Sequence, residues 1–188
     1  MSMKLNRRHY LTLALASVTT QLHAQTWPVK PVRLVVPFAP GGSTDVVARM
    51  LGQKLTDIWG QSVVIENRAG AGGNLGADAV AKSAPDGHTL LFASGSITIN
   101  PSIYTNMPFD TVRDLTPITN VASGPMLIVV NDKAPWRNLK DLIQDAKANP
   151  GKINFGSAGI GSQIHLAAEN FADAAGIEIA HVPYKGEA

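Results

Sequence analysis

Residues 32–45 read VRLVVPFAPGGSTD, and the fold is decided there. Val32 to Pro37 is a short apolar run suited to a buried strand. Phe38-Ala39-Pro40-Gly41-Gly42-Ser43-Thr44-Asp45 is a glycine-rich turn. From Thr44 to Ile58 the apolar residues Val47, Met50, Leu51, Leu55 and Ile58 recur at helical spacing until Gly60 stops them. Strand, glycine-rich turn and helix in that order predict an α/β unit.

The same order repeats outward from this stretch. Ser62 to Glu66 is rich in β-branched residues and predicts a second strand, and Gly70-Ala-Gly-Gly-Asn74 then leads into a small-residue helix over Leu75 to Lys82. Pro85-Asp86-Gly87 makes a turn into a third strand, Thr89 to Ala93. Such strands, alternating with helices, predict a parallel sheet covered on both faces. Residues 94–117 hold Pro101, Pro108 and Pro117 and read as a loop with short helical turns. The apolar stretch Ile118 to Val130 is long enough to cross from one domain to the next. A second unit follows, with an amphipathic helix over Asn138 to Ala148, a strand over Lys152 to Phe155, a turn over Gly156 to Gly161, a helix over Gln163 to Ala175 and a strand over Glu178 to Val182.

Composition agrees with a globular chain: 188 residues, 45% hydrophobic and 16% charged. No cysteine is present, which excludes disulfides, thiolate metal sites and cysteine nucleophiles. Residues 1–24 carry Lys4, Arg7 and Arg8, then the apolar run Leu11 to Val18, then Leu22-His23-Ala24 before Gln25. A basic start, an apolar run too short to span a bilayer and a small residue at the cut site predict a cleaved signal peptide and an exported protein. Arg7-Arg8 with Tyr10-Leu11 also fits a twin-arginine signal, while an ordinary secretory signal is basic as well. Without Lys4, Arg7 and Arg8 the 16 basic residues become 13 against 14 acidic ones, and no basic cluster remains to track a phosphate backbone. Nucleic acid is therefore not the expected partner.

The turn Ala39, Pro40, Gly41, Gly42, Ser43, Thr44 is the first candidate ligand seat. Gly41 and Gly42 admit backbone conformations closed to other residues, Ser43 stands where a cap would, and the helix start offers free N–H groups and a positive dipole end to a carboxylate. Asp45 has two readings: a carboxylate matched to the helix dipole, or a partner for the amine of an amino-acid ligand. Phe155 to Ser162 repeats the arrangement, with Ser157, Ala158, Gly159, Gly161 and Ser162 as the second seat. In open α/β sheets ligands bind beyond the carboxyl ends of the strands, where both turns fall.

Enzyme readings fit less well. No G-x-G-x-x-G follows the first strand, the Gly70 to Gly76 run breaks that spacing, and no G-K-S/T phosphate loop occurs. Ser157 approaches a G-x-S-x-G elbow, but Phe155 stands in place of the first glycine and no orienting acid is evident beside His165. His88, His165 and His181 are scattered without metal-ligand spacing, so neither metal nor cofactor is expected. Trp27, Trp59 and Trp136 read as packing residues.

Several ordered segments resemble one family. They are Trp27-Pro28 with Pro31 to Gly42, Val64 to Asn74, Ala84-Pro85-Asp86-Gly87, Pro150 to Asn154, and His181-Val182-Pro183-Tyr184-Lys185-Gly186. Together they resemble the Bug family, the extracytoplasmic receptors of tripartite tricarboxylate transporters, over nearly all of residues 25–186. The resemblance implies a periplasmic-binding-protein-like Venus flytrap of two doubly wound α/β domains, 25–120 and 121–188. These would close as a monomer on a small carboxylate that is handed, without chemistry, to membrane transporter subunits. It also adds Ser96 and Thr98 in the loop Gly95 to Thr98, and His165, to the ligand-binding set. Family members continue well beyond the Tyr-Lys-Gly motif, so the second domain reads as incomplete and the chain as a truncated form. A binding component of a signalling system, a non-functional fragment and an enzyme on a doubly wound fold are the alternative functions.

Overall fold

The computed structural model describes residues 27–186. The signal sequence expected over residues 1–24 lies outside the described residues. Two separate parallel sheets carry the chain. The first, in the order β2-β1-β3, joins β1 (Val32–Val36), β2 (Val63–Asn67) and β3 (Thr89–Leu91); the second pairs β4 (Asn154–Ser157) with β5 (Ala180–Pro183). An α/β fold with parallel sheets is as the sequence predicts.

Strand β1 is central because it is apolar enough to be buried from both sides. Leu34 and Val36 point to one face, where they meet Ala48 of α1 (Ser43–Trp59), with Leu51, Ile65 and Leu90 packed round them. Val35 and Pro37 alternate to the other face. There α2 (Asn74–Ala81) approaches so closely that a Cβ added at Gly76 would lie 2.7 Å from Pro37 Cβ. In-register pairing of Val32 with Val63 and of Arg33 with Thr89 brings the carboxyl ends of the three strands to one edge, and the turn after β1 starts from it. Gly60 ends α1 as expected: it takes a left-handed conformation (φ 66°), and its N–H donates to Thr56 O.

The second core is smaller. Ala146 of α4 (Leu139–Ala148), Ala172 of α5 (Gln163–Ala175) and Ile177 form its buried centre, with Ile143, Ile153, Phe171 and Ile179 around them. Asn138 caps α4, its side-chain oxygen accepting the Asp141 N–H at 3.1 Å. Asn138→Ala is expected to cost about 1 kcal/mol, read as a lower thermal midpoint by circular dichroism.

Two features lie between the sheets, the first as the local reading expects. The region 94–117 does contain short helical turns, α3 (Ser96–Ile99) and the 3-10 turn Asn100–Ser102. The apolar run 118–130 joins no ladder among the described residues, and its side chains face solvent, Leu127 at 78% and Val129 at 84% exposure. β-Branched residues favour a strand only where a neighbouring strand and a packed face receive them. No helix among the described residues is long and apolar enough to cross a membrane.

Candidate functional site

The first glycine turn is held from beneath by a closed polar network. Asp45, at the third position of α1 and only 2% exposed, reaches back to accept the Gly41 N–H at 3.0 Å. It also accepts from Arg49 Nε at 2.8 Å and from Asn67 Nδ2 at 2.8 Å. Asn67 Nδ2 donates as well to Phe38 O at 3.1 Å, and Arg49 donates to Asn67 Oδ1, so both ends of the turn are tied to one carboxylate. The Arg49 guanidinium, helped by the Gly41 and Asn67 donors, holds the Asp45 carboxyl at a pKa of about 2, against the burial that opposes it.

Two expectations for this turn change. The cap residue is Gly42, in extended backbone, and Ser43 is instead the first helical residue, because Asp45 already satisfies the turn from the third position. Of the two glycines only Gly41 (φ 96°) needs a conformation closed to other residues; Gly42, at φ −75°, does not. Thr44 lies in the first turn of α1, where N–H groups have no intrahelical acceptor. Ala39 is half-buried and Pro40 exposed. Ser96 is buried and pairs with Ser94 Oγ at 2.9 Å, while Thr98 is exposed and its hydroxyl donates to Gly95 O within its own turn.

The second turn is built around Ser157, at the end of β4. Its Oγ accepts the Gly159 N–H at 3.1 Å and lies 2.6 Å from His181 Nε2. Ser162 caps α5, accepting the His165 N–H, and the His165 ring accepts the Gly161 N–H at 3.2 Å through Nδ1. Gly159 (φ 123°) and Gly161 (φ 78°) both need left-handed backbone, and Ala158, just before them, is buried. The His165 and His181 rings stack with centroids 4.0 Å apart, and Phe155 stacks on His181 at 4.8 Å and on His165 at 6.3 Å. Burial, then the neighbouring His165, pulls the His181 pKa down, so the ring bonded to Ser157 is held towards its neutral form.

Read as separate positions in the chain, the histidines look scattered; the structure joins two of them. His181 was missed because its partnership is set by strand register. Phe155 pairs with His181 across the β4–β5 ladder, two residues from Ser157. Pairing the two predicted strands in parallel would have revealed it. Tyr104, Asn100 and Gly72 were missed as well: they lie in segments that read as loops, yet they meet the second turn across the seam between the units. Gly186, in the Tyr-Lys-Gly motif, is likewise buried against the first turn, where an added Cβ would stand 2.6 Å from Ala39 Cβ.

Chemically, each glycine turn stands at the N-terminal end of a helix, an arrangement suited to holding an anion by main-chain donors. Among the described residues no cluster of His, Asp and Glu could hold a metal ion. Ser157 and His181 are a hydrogen-bonded pair, but the serine oxygen already accepts the Gly159 N–H and serves the turn.

A model of the tripartite tricarboxylate transporter family receptor matches residues 47–188. Protein BugT of Bordetella pertussis is 44% identical over 176 residues, covering 93% of this chain and 54% of BugT. Among solved structures, R. palustris Rpa4515 with adipate is 40% identical with a TM-score of 0.82, over 85% of this chain and 54% of that one. MatC (Rpa3494) from Rhodopseudomonas palustris with bound malate is 30% identical with a TM-score of 0.76, over 85% of this chain and 55% of that one. The chain spans about half the length of the curated relatives it matches.

Proposed function

The chain belongs to the tripartite tricarboxylate transporter receptor family, and from that premise we propose that it is a periplasmic receptor that binds a small dicarboxylate between its two glycine turns and does no chemistry on it. The observation that carries this reading is the pairing of the turns. Each follows the carboxyl end of a parallel strand, each opens a helix of more than three turns, and each is fixed by side chains that are not themselves needed for the ligand. One carboxylate per helix start satisfies the first-turn N–H groups of both. Adipate and malate, found with the relatives from R. palustris, each carry two carboxylates at a short separation, which supports that ligand class.

The ligand-contacting groups are then main-chain groups of Ala39 to Thr44 and of Ser157 to Ser162, apart from the N–H groups of Gly41, Gly159, Gly161 and Ser162, which the turns themselves use. Ser96, Thr98 and His165 lie at the flanks, and Asp45 acts from below through Gly41. Closure of the units dries the site and strengthens each main-chain hydrogen bond to the anion. The receptor acts as a monomer that delivers its ligand to membrane transporter subunits.

Calorimetry of the chain against dicarboxylates, tricarboxylates and amino acids tests this. Saturable one-to-one binding of a dicarboxylate is expected, with no product formed on prolonged incubation. Binding of none of them overturns the receptor reading, and turnover of any overturns its non-catalytic part.

A further inference from the structure

The two units meet at a seam whose parts lie outside both ligand turns on the first-unit side. Tyr104 donates its phenol hydrogen to Ile160 O, in the middle of the second turn, at 2.7 Å. Gly72 stands under the same oxygen: its φ is 61°, and a Cβ there would lie 2.3 Å from Ile160 O. Asn100, 0% exposed, donates from Nδ2 to Gly72 O at 3.1 Å and to Asn74 Oδ1 at 2.8 Å. Both partners are acceptors, which fixes which way its amide points. Its Oδ1 therefore faces Gly161, where a Cβ would stand 2.8 Å away.

The first unit thus presents a seat shaped for bare backbone, and a single side-chain donor fastens the turn into it. Burial pushes the Tyr104 phenol pKa up, so the hydroxyl keeps its proton. A carbonyl held at Ile160 fixes the one peptide plane that it shares with the Gly161 N–H, and with it the middle of the turn.

We propose that Tyr104 is a positioning residue for ligand capture: its hydroxyl latches Ile160 and holds the second glycine turn opposite the first when the two units close. The assignment rests on the turns being the ligand seat, but the latch itself can be read without ligand. Loss of one neutral hydrogen bond shifts an open–closed equilibrium by about three- to tenfold. The apparent affinity falls with the closed fraction. Tyr104→Phe removes the donor and keeps the ring, so packing is retained.

Because the chain has no cysteine, spin labels at Lys54→Cys on α1 and Lys147→Cys on α4, both exposed, report the distance between the units of the full chain. The latch predicts one short, narrow distance in the ligand-free parent and an added longer population in Tyr104→Phe, with the thermal midpoint unchanged. Gly72→Ala, which displaces Ile160 from its seat, is expected to lengthen the same distance. Malate or adipate, whichever the parent binds, should bind Tyr104→Phe more weakly by about twofold at most, in step with the fall in the closed fraction. Superimposable distance distributions for parent and Tyr104→Phe overturn the latch, whatever the ligand does. A parent that binds none of the dicarboxylates, tricarboxylates and amino acids overturns the receptor reading, and the distances still decide Tyr104.

Discussion

Asp45→Ala is expected to lower the unfolding free energy by about 2–4 kcal/mol, since it leaves three donors around a buried position without their acceptor. Gly41 N–H, Asn67 Nδ2 and Arg49 Nε all converge on this carboxylate, which is 2% exposed. The figure sits below the full penalty for breaking a buried ion pair because Arg49 is half-exposed and can rehydrate. The folded carboxyl is held at about 2, below its ordinary 3.8, so its contribution is fully present above pH 4 and is lost as the pH falls from there through about 2. That contribution is about 2 kcal/mol. Urea unfolding of the parent and Asp45→Asn at pH 7, 4 and 2 checks the sign. The gap between them should narrow across the acid range; a gap that stays constant would remove Asp45 from the ionised network. Ligand affinity should fall with the same substitution, because the Gly41 N–H loses its acceptor and Asn67, which holds Phe38 O, loses its own partner.

Gly76→Val is the other substitution with a large expected effect, for a reason unrelated to backbone freedom. An added Cβ meets Pro37 Cβ at 2.7 Å and Pro37 Cα at 2.9 Å, with Arg68 O at 3.1 Å. Two of these three atoms belong to the main chain and cannot swing aside. The helix α2 must then lift from β1, and overpacking of this kind costs about 3 kcal/mol. Pro37 leads directly into the first ligand turn, so the lift also displaces Phe38 and Ala39. A drop of several degrees in the thermal midpoint, with weaker dicarboxylate binding, is the expected outcome. Gly76→Val at parental stability would mean that α2 is free to shift along the sheet.

Much of this architecture is legible in local sequence because the interactions that make it are local. Val32 to Pro37 is apolar without interruption, and a strand buried on both faces must be. Gly60 and Gly176 end their helices in left-handed conformations, as glycines placed after an amphipathic run do. The helix over Gln163 to Ala175 has the bounds its periodicity predicts. Errors arise where a residue's task is set by a distant partner. Ser43 has the right chemistry for a cap, yet Asp45 and Asn67, the latter 22 positions further on, make that cap unnecessary. His181 joins Ser157 only through the β4–β5 register, and Tyr104 reaches Ile160 across 56 positions. Neither spacing leaves a periodic trace. The run Ile118 to Val130, read only as long enough to cross between domains, joins no ladder among the described residues.

Function follows the same division. The two glycine turns can be read from the sequence, each between a strand and a helix, and we propose them as a pair of main-chain anion seats. What holds the turns cannot be read locally: the Asp45 network, the stacked histidines under Ser157, and the contacts of Gly72, Asn100 and Tyr104.

The central claim is that one small dicarboxylate is held by both turns at once, and amide shift mapping tests it most directly. With the isotope-labelled chain titrated by adipate, the largest changes should fall together on Gly42 to Thr44 and on Ala158 to Ser162, saturating at a single common affinity. Changes confined to one turn, or lying elsewhere on the chain, would contradict the claim.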